Sequence, residues 1–340
     1  TETFNHELVN DEATEGDNEY EFTFTTPADF TTPGLKYLKF KTFLDGDEDA
    51  LNDTYSATFY VYPSVSYPYE TSFETSSSNW YGWGTNSSWQ WGTPNGTIIN
   101  SASDGTKAWV TSLSSQYNSS EVSYLESPCF DLSTSEYPIF SFDYMLAVEE
   151  ETDGFYVQYS IDGGLTWIDF PEDANYSKNW YDTGTVAALG KSGWSVNQSS
   201  YVKVKNLIPD EAKTSGVKFR FAFASNGSSE NEGVAIDQIK VYELPYDLGI
   251  TALLSPTSPA CEIGTVALQF TIENFGYRPV PSATNIPIEI FLNAEEPISE
   301  SFILPTTLNK NETSNFTTSG TFSFLTAKAH ELIAYTNLEE

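Results

Sequence analysis

Cations, cysteine and histidine are scarce in this chain, and each shortage removes a class of function. Lysine and arginine number 15 against 48 aspartates and glutamates, a net charge of -33 over 340 residues. Such a surface repels a phosphate backbone, and no basic stripe runs along the sequence to track one, so nucleic acid is excluded as a partner. The two cysteines, Cys129 and Cys261, stand far apart without CxxC or Cys/His spacing, which excludes a zinc knuckle. Both read as buried free thiols. Only His6 and His330 are available for imidazole chemistry, and HExxH, GxSxG, Walker and GxGxxG motifs are missing. Two facing carboxylates of the glycosidase kind are the catalytic arrangement that so acidic a composition leaves open. No apolar run approaches the ~18 residues of a membrane helix, and no signal peptide opens the stretch.

Helical periodicity is nearly absent too, and period-2 alternation takes its place. Val217, Phe219, Phe221 and Phe223 point one way, with Lys218 and Arg220 opposite. Val202 and Val204 alternate with Lys203 and Lys205; Phe155, Val157 and Tyr159 line a further strand. Val266, Leu268, Phe270 and Ile272 repeat the pattern, as do Ile286, Ile288, Ile290 and Leu292. Gly, Pro, Asn and Ser clusters separate these runs, as turns require. Many short strands with regular turn signals predict an all-β chain of β-sandwiches. Aromatics at 15% supply ample core material, so the acidity is not that of a disordered tail.

Two Pro/Tyr-rich stretches, Pro63–Glu70 and Glu243–Asp247, read as seams, because proline ends strands and stiffens joints. The expected division is residues 1–64, 65–245 and 246–340. The outer two segments resemble each other. Glu2 and Phe4 match Glu300 and Phe302; Phe22 and Phe24 match Phe322 and Phe324; Leu38, Thr42 and Leu44 match Leu332, Thr336 and Leu338. Internal similarity of this kind signals an array. The sequence is therefore expected to open late in one repeat, to close within the next, and to continue in both directions.

Several local constellations carry chemistry. Ser160–Trp167 fits the Asp-box pattern S-x-D-x-G-x-T-W, a tight hairpin in which Gly163 and Gly164 take unusual backbone angles and Asp162 bonds turn amides. It reads as a folding element. Asp45–Asp53 starts like an EF-hand loop but has Ala50 at the glycine position and Ser56 at the bidentate position, so a solvated turn or a looser cation site fits better. Trp80, Trp83, Trp89 and Trp91 form an aromatic cluster that either seals a core or offers sugars a stacking platform. Nine Asn-x-Ser/Thr sequons include Asn86, Asn118 and Asn226. The acidic surface also calls for counter-ions, and Ca2+ is the hard cation that carboxylates take.

The central segment resembles a known family. Ser72–Thr75 (SFET), Trp89–Pro94 (WQWGTP), Lys107–Leu113, Tyr124–Ser133 (YLESPCFDLS), Pro138–Tyr144, the Asp-box hairpin and Gly233–Leu244 (GVAIDQIKVYEL) follow the order of a MAM-like jelly roll, similar to the cleaved-adhesin domains of gingipains. Asp247–Cys261 with Phe270–Gly276, and Tyr20–Gly34 with Asn52–Thr54, resemble the opening and close of CARDB-type immunoglobulin-like repeats. The resemblance implies a jelly-roll β-sandwich flanked by two partial immunoglobulin-like sandwiches. Such modules alternate in giant type IX-secreted surface adhesins of Bacteroidota, the SprB-type gliding adhesins among them. It thus implies a non-catalytic, extracellular stalk and adhesive module at the cell surface. Its partners would be neighbouring repeats of the same polypeptide, with a surface polysaccharide or an envelope anchoring protein. A carbohydrate-binding module with linker domains from a secreted hydrolase is the alternative. The resemblance further implies a structural Ca2+ held by Glu74 and Asp237, with Asp104 as a third ligand; Gln238 stands where the family often has a second Asp.

Overall fold

A computed structural model describes residues 23–43, 45–46, 49, 51, 53–257, 264–293, 295–324, 329–336 and 338. Glu2, Phe4, His6, Phe22, Leu44, Cys261 and part of the Asp45–Asp53 loop lie outside the described residues. The chain is all-β as its alternation predicts: among the described residues the sole helical element is the 3-10 turn Asp210–Ala212.

By contacts the chain falls into two units, Thr1–Pro63 and Ser64–Glu340. The first holds an antiparallel hairpin, Gly34–Lys41 with Thr54–Val61, in which Leu38 faces Ala57. Phe24 stacks on Phe40, and Phe30 meets Phe59 edge-on.

The second unit contains two sandwiches. In the larger, one sheet runs Gln198–Leu207, Pro138–Ala147, Gly233–Glu243, Ala108–Thr111, Trp89–Gly92, with Tyr69–Thr71 also paired to Gly233–Glu243. The facing sheet runs Ile168–Asp169, Gly154–Ser160, Lys218–Ala224, Val122–Glu126, Tyr81–Thr85. Most pairs join strands distant in sequence, and Tyr69–Thr71 lies beside Gly233–Glu243, the last strand of the sandwich: Glu70 is opposite Lys240 and Thr71 opposite Ile239. Between the sheets Phe140, Phe142, Phe155, Phe219, Phe221, Trp80 and Trp194 make the core. Their rings meet edge-on or offset, as quadrupoles prefer.

The smaller sandwich packs Leu248–Ser255, Gln269–Asn274 and Thr313–Thr317 against Ile298–Ile303, Asn285–Leu292 and Leu332–Thr336. Leu268, Phe270, Ile272, Ile286, Ile288 and Ile290 fill it, the same residues whose alternation stands out in the sequence. Arg278 joins the two sandwiches: it donates to the Leu244 carbonyl at 3.0 Å, stacks on Tyr246, and lies 3.5 Å from the Glu136 carboxylate. Beside it the Tyr176 hydroxyl donates to the Tyr277 carbonyl at 3.1 Å.

Candidate functional site

The outer face of the six-stranded sheet is half covered by residues 95–107, a segment without regular structure. A buried backbone must place its N–H groups somewhere, and here three carboxylates receive them. Glu232 accepts from Thr97, Ile98 and Ile99 at 2.7–3.1 Å. Asp237 Oδ2 accepts from Ser103 (2.9 Å) and Asp104 (3.1 Å), while its Oδ1 accepts from Gln238 N. Glu74 Oε1 accepts from Thr106 and Lys107 at 2.9 and 2.7 Å, and Oε2 from the Thr106 hydroxyl. Gly105 sits at φ +65, and a Cβ there would lie 2.3 Å from the Glu74 carboxyl carbon, so only glycine lets the loop close on Glu74. Beneath the loop Ile99, Ala108, Val110, Met145, Ala147 and Ala235 form a satellite core.

The structure thus brings Glu74 and Asp237 to one loop, but as amide clamps. Asp104 is exposed and contributes its backbone N–H, not its carboxylate. As placed, Glu74, Asp237 and Asp104 do not fit a shared cation: among the described residues no three candidate ligands converge. Hydrogen bonds from Lys107 and Thr106 hold the Glu74 carboxyl below its ordinary range. Asp237 behaves oppositely. Fully buried, it is pushed up to about 6 by desolvation, against the pull of its amide donors and with Asp143 adding repulsion. Asp143 lies directly across the sheet from Asp237, and its Oδ1 is buried without a hydrogen-bond partner. That orphaned oxygen beside a second carboxylate is the one feature here suited to a hard cation, and it involves Asp143, a residue the motif comparison passes over.

The tryptophan cluster divides. Trp80 is 1% exposed with Nε1 donating to the Tyr69 hydroxyl, and Trp89 is buried. Trp91 packs against the core, donates to the Phe73 carbonyl and lies under the Lys107 ammonium. Trp80 and Trp89 belong to the core between the sheets with Trp91 packed against it, and the three form no platform. Trp83 is the most exposed of the four, at 44%, because its strand borders the facing sheet.

On that facing sheet's outer surface two cross-strand rows run side by side. One is Trp83–Tyr124–Ala222–Tyr156, the other Tyr81–Glu126–Arg220–Gln158–Asp169. The Arg220 guanidinium lies between the Tyr124 and Trp167 rings, 3.9 and 4.2 Å from their centroids, with Nε donating to Gln158 Oε1. Its terminal nitrogens have no partner among the described residues. Alternation alone would send Lys218 and Arg220 to solvent, yet Lys218 is 0% exposed. Its ammonium pairs with Glu126, whose oxygens also receive the Tyr81 hydroxyl (2.6 Å) and Trp83 Nε1 (2.8 Å). The Asp box supplies Trp167. Gly163 and Gly164 adopt φ +76 and +96, and Asp162 accepts from Thr166 N and Oγ1, which with Ser160 hold its carboxyl down to about 2. The Trp167 ring covers Arg220 while Nε1 donates to the Gly164 carbonyl. Arginine against a ring reads as nothing in a one-dimensional pattern, so this stack and the Glu126 hub escaped the sequence.

The remaining candidates are structural. His330 Nδ1 lies 3.2 Å from Asn293 Nδ2, its ring edge-on to Phe324. Burial pushes the free Cys129 thiol up. The sequon amides already serve the fold: Asn86 Nδ2 donates to Ser119 O, Asn118 Nδ2 to Asn86 O, and Asn226 Nδ2 to Glu149.

No protein-family model matches the sequence, and no curated protein matches it. Among solved structures the chain is similar to three cleaved adhesin domains of Lys-gingipain. The K1 and K3 domains, from Porphyromonas gingivalis W83, are 15% and 14% identical, with TM-scores of 0.31 and 0.32. The K2 domain is 14% identical with a TM-score of 0.34. Each match covers 52% of this chain and 97–98% of the other.

Proposed function

We propose that this chain is a non-catalytic segment of a large secreted cell-surface adhesin, and that its larger sandwich contacts saccharide through the Trp83–Tyr124–Arg220–Trp167 surface. The exposed Trp83 ring beside half-buried Tyr124 carries the reading. Flat rings offer their faces to the C–H faces of sugars, and the unpartnered ends of Arg220 offer donors to hydroxyls or carboxylates. Binding sites of this kind are weak singly and gain by repetition, which suits a module in an array. The motif order from Ser72 to Leu244, with the opening at Asp247 and the close at Tyr20–Gly34, supports the finer assignment to MAM-like and CARDB-type modules of a type IX-secreted, gliding-type adhesin.

Glu74, Glu232, Asp237 and Glu126 support a structural role over a catalytic one, because each faces amide, hydroxyl, indole or ammonium donors of its own fold. A structural Ca2+ remains part of the proposal, placed at Asp143 and Asp237. The direct test is a glycan array probed with the full chain and with Trp83→Ala. Saturable binding that falls roughly tenfold or more, the loss of about 1.4 kcal/mol, is the expected result. Binding unchanged by Trp83→Ala, or no glycan bound, would remove this surface from the account.

A further inference from the structure

We infer that the open half of the six-stranded sheet's outer face is a second binding site, one that takes an acidic polysaccharide in the cleft over Ser141. The cleft has a volume of about 540 Å3 and is lined by Lys203, Lys205, Lys240, Tyr69, Tyr242 and Ser141 among others. Its sign is opposite to that of the molecule. Register sets Lys178, Lys205, Ser141, Lys240 and Glu70 abreast on five neighbouring strands or bridges, with Lys203 opposite Asp143 in the next row. Four of the chain's 15 cations are thereby gathered on one patch.

Their bonding is as telling as their number. Lys240 pairs with Glu70. The ammonium groups of Lys178, Lys203 and Lys205 have no partner among the described residues, although 48 acidic side chains are available in the sequence. Like charges placed directly opposite across a sheet oppose pairing, and Lys178 is opposite Lys205. Lysines on an edge strand do guard against edge-to-edge association. That role covers Gln198–Leu207, the outermost strand, but not Lys240 on a strand paired on both sides.

Charge density selects the occupant. A nucleic acid carries a charge about every 1.7 Å and would meet the full -33 around the patch. A polysaccharide with a carboxylate or sulfate on each sugar or disaccharide is sparser. It also presents C–H faces to the Tyr242 ring and hydroxyls to Ser141. Neighbouring strands lie about 4.8 Å apart, so Lys205 and Lys240, with Ser141 between them, are spaced for charges on a chain crossing the strands.

The test uses the full chain, with polygalacturonate and chondroitin sulfate as anionic probes, dextran as neutral control and poly-L-glutamate as protein-like control. Expected are binding of at least one anionic glycan, none of dextran, and affinity that falls with salt. Lys203→Glu with Lys205→Glu should weaken it roughly tenfold or more, and Lys203→Gln with Lys205→Gln should lower the salt slope by about two. Melting curves of both variants accompany the titrations, and the milder pair serves if the charge reversals unfold. Trp83→Ala should leave this binding unchanged, which separates the site from the aromatic surface. No anionic glycan bound, equal binding by the lysine variants, or loss with Trp83→Ala would each overturn the inference. So would lysine-dependent binding of poly-L-glutamate without glycan, which would assign the cleft to an acidic protein segment.

Discussion

The two outer surfaces of the larger sandwich use the same scarce resource, positive charge, in opposite ways. On the five-stranded sheet Lys218 and Arg220 are drawn in, one paired with Glu126 and the other held between Tyr124 and Trp167. On the six-stranded sheet Lys203 and Lys205 stand outward and unpartnered, while carboxylates are drawn in: Asp237 is buried and Glu232 and Glu74 grip loop amides. A buried charge must be paired or hydrogen-bonded to be tolerated. The five-stranded face therefore owes its shape to its cations, and the six-stranded face owes its covering loop to its anions. The contrast implies that removing a cation from the five-stranded face costs stability, whereas removing one from the six-stranded face spares it.

The largest effect should come from Glu126. Glu126→Ala strands the Lys218 ammonium in the interior and releases Tyr81 and Trp83, at a cost of about 3–5 kcal/mol. Replacing both charges, Glu126→Leu with Lys218→Met, should recover most of that loss, because the pair's own desolvation vanishes with it. Chemical denaturation of the full chain and both variants measures this. A double variant as unstable as the single one would show that the packing, not the stranded charge, sets the cost.

How much of this was legible beforehand follows from what side-chain alternation encodes. Phe219, Phe221, Phe223, Ile286, Ile288 and Ile290 occupy the cores their spacing predicts, since a strand's period fixes which face an apolar residue takes. Period does not encode what covers the other face. Alternation therefore sets Lys218 and Arg220 opposite the core without showing what encloses them, and it leaves Trp80 and Trp89 between core and platform; the resemblance pairs Glu74 and Asp237 with an ion, whereas their nearest partners are amides of residues 103–107. Glu232 carried no signal at all. Its role depends on a segment about 130 residues away, closer to it in space than any sequence pattern can register.

The next effect concerns pH on the anionic side. Asp237 ionises near pH 6 in the folded chain against an ordinary value of 3.8, so folding penalises its charged form. A raised carboxyl contributes stability that is present below the unfolded value and lost as pH rises through the folded one. In chelator, therefore, the chain should gain up to about 3 kcal/mol from this group as pH falls from 7 to 4. Relief of repulsion among the other acids has the same sign, so the quantity to read is the difference from Asp237→Asn, which lacks this share. A cation at Asp143 and Asp237 would reverse the ordering: added Ca2+ should raise the melting temperature at pH 7 and do little at pH 4.5. A Ca2+ response that is the same in Asp237→Asn would move the ion elsewhere, and no response at all would remove it.

The smallest predicted effect isolates the comparison itself. Arg220 and Lys205 are both cations on sheet surfaces, but only Arg220 has its charge over rings. The ring quadrupole attracts a cation by about 0.5–1 kcal/mol when exposed and about 2 when desolvated, and Arg220 is largely buried. Lysine keeps the charge but not the flat guanidinium that lies against both ring faces. A double-mutant cycle of Arg220→Lys with Trp167→Ala should therefore show a coupling of about 0.5–2 kcal/mol, since the two side chains touch. Lys205→Met, with no partner to lose, should change stability by less than about 0.5 kcal/mol. The cycle matters because Trp167 reaches Arg220 only through the Asp-box turn. Coupling near zero would mean that the hairpin merely places a tryptophan near the sheet. A Lys205→Met change as large as the coupling would mean that the six-stranded face also builds its surface on cations, and the contrast between enclosed and outward cations would fail.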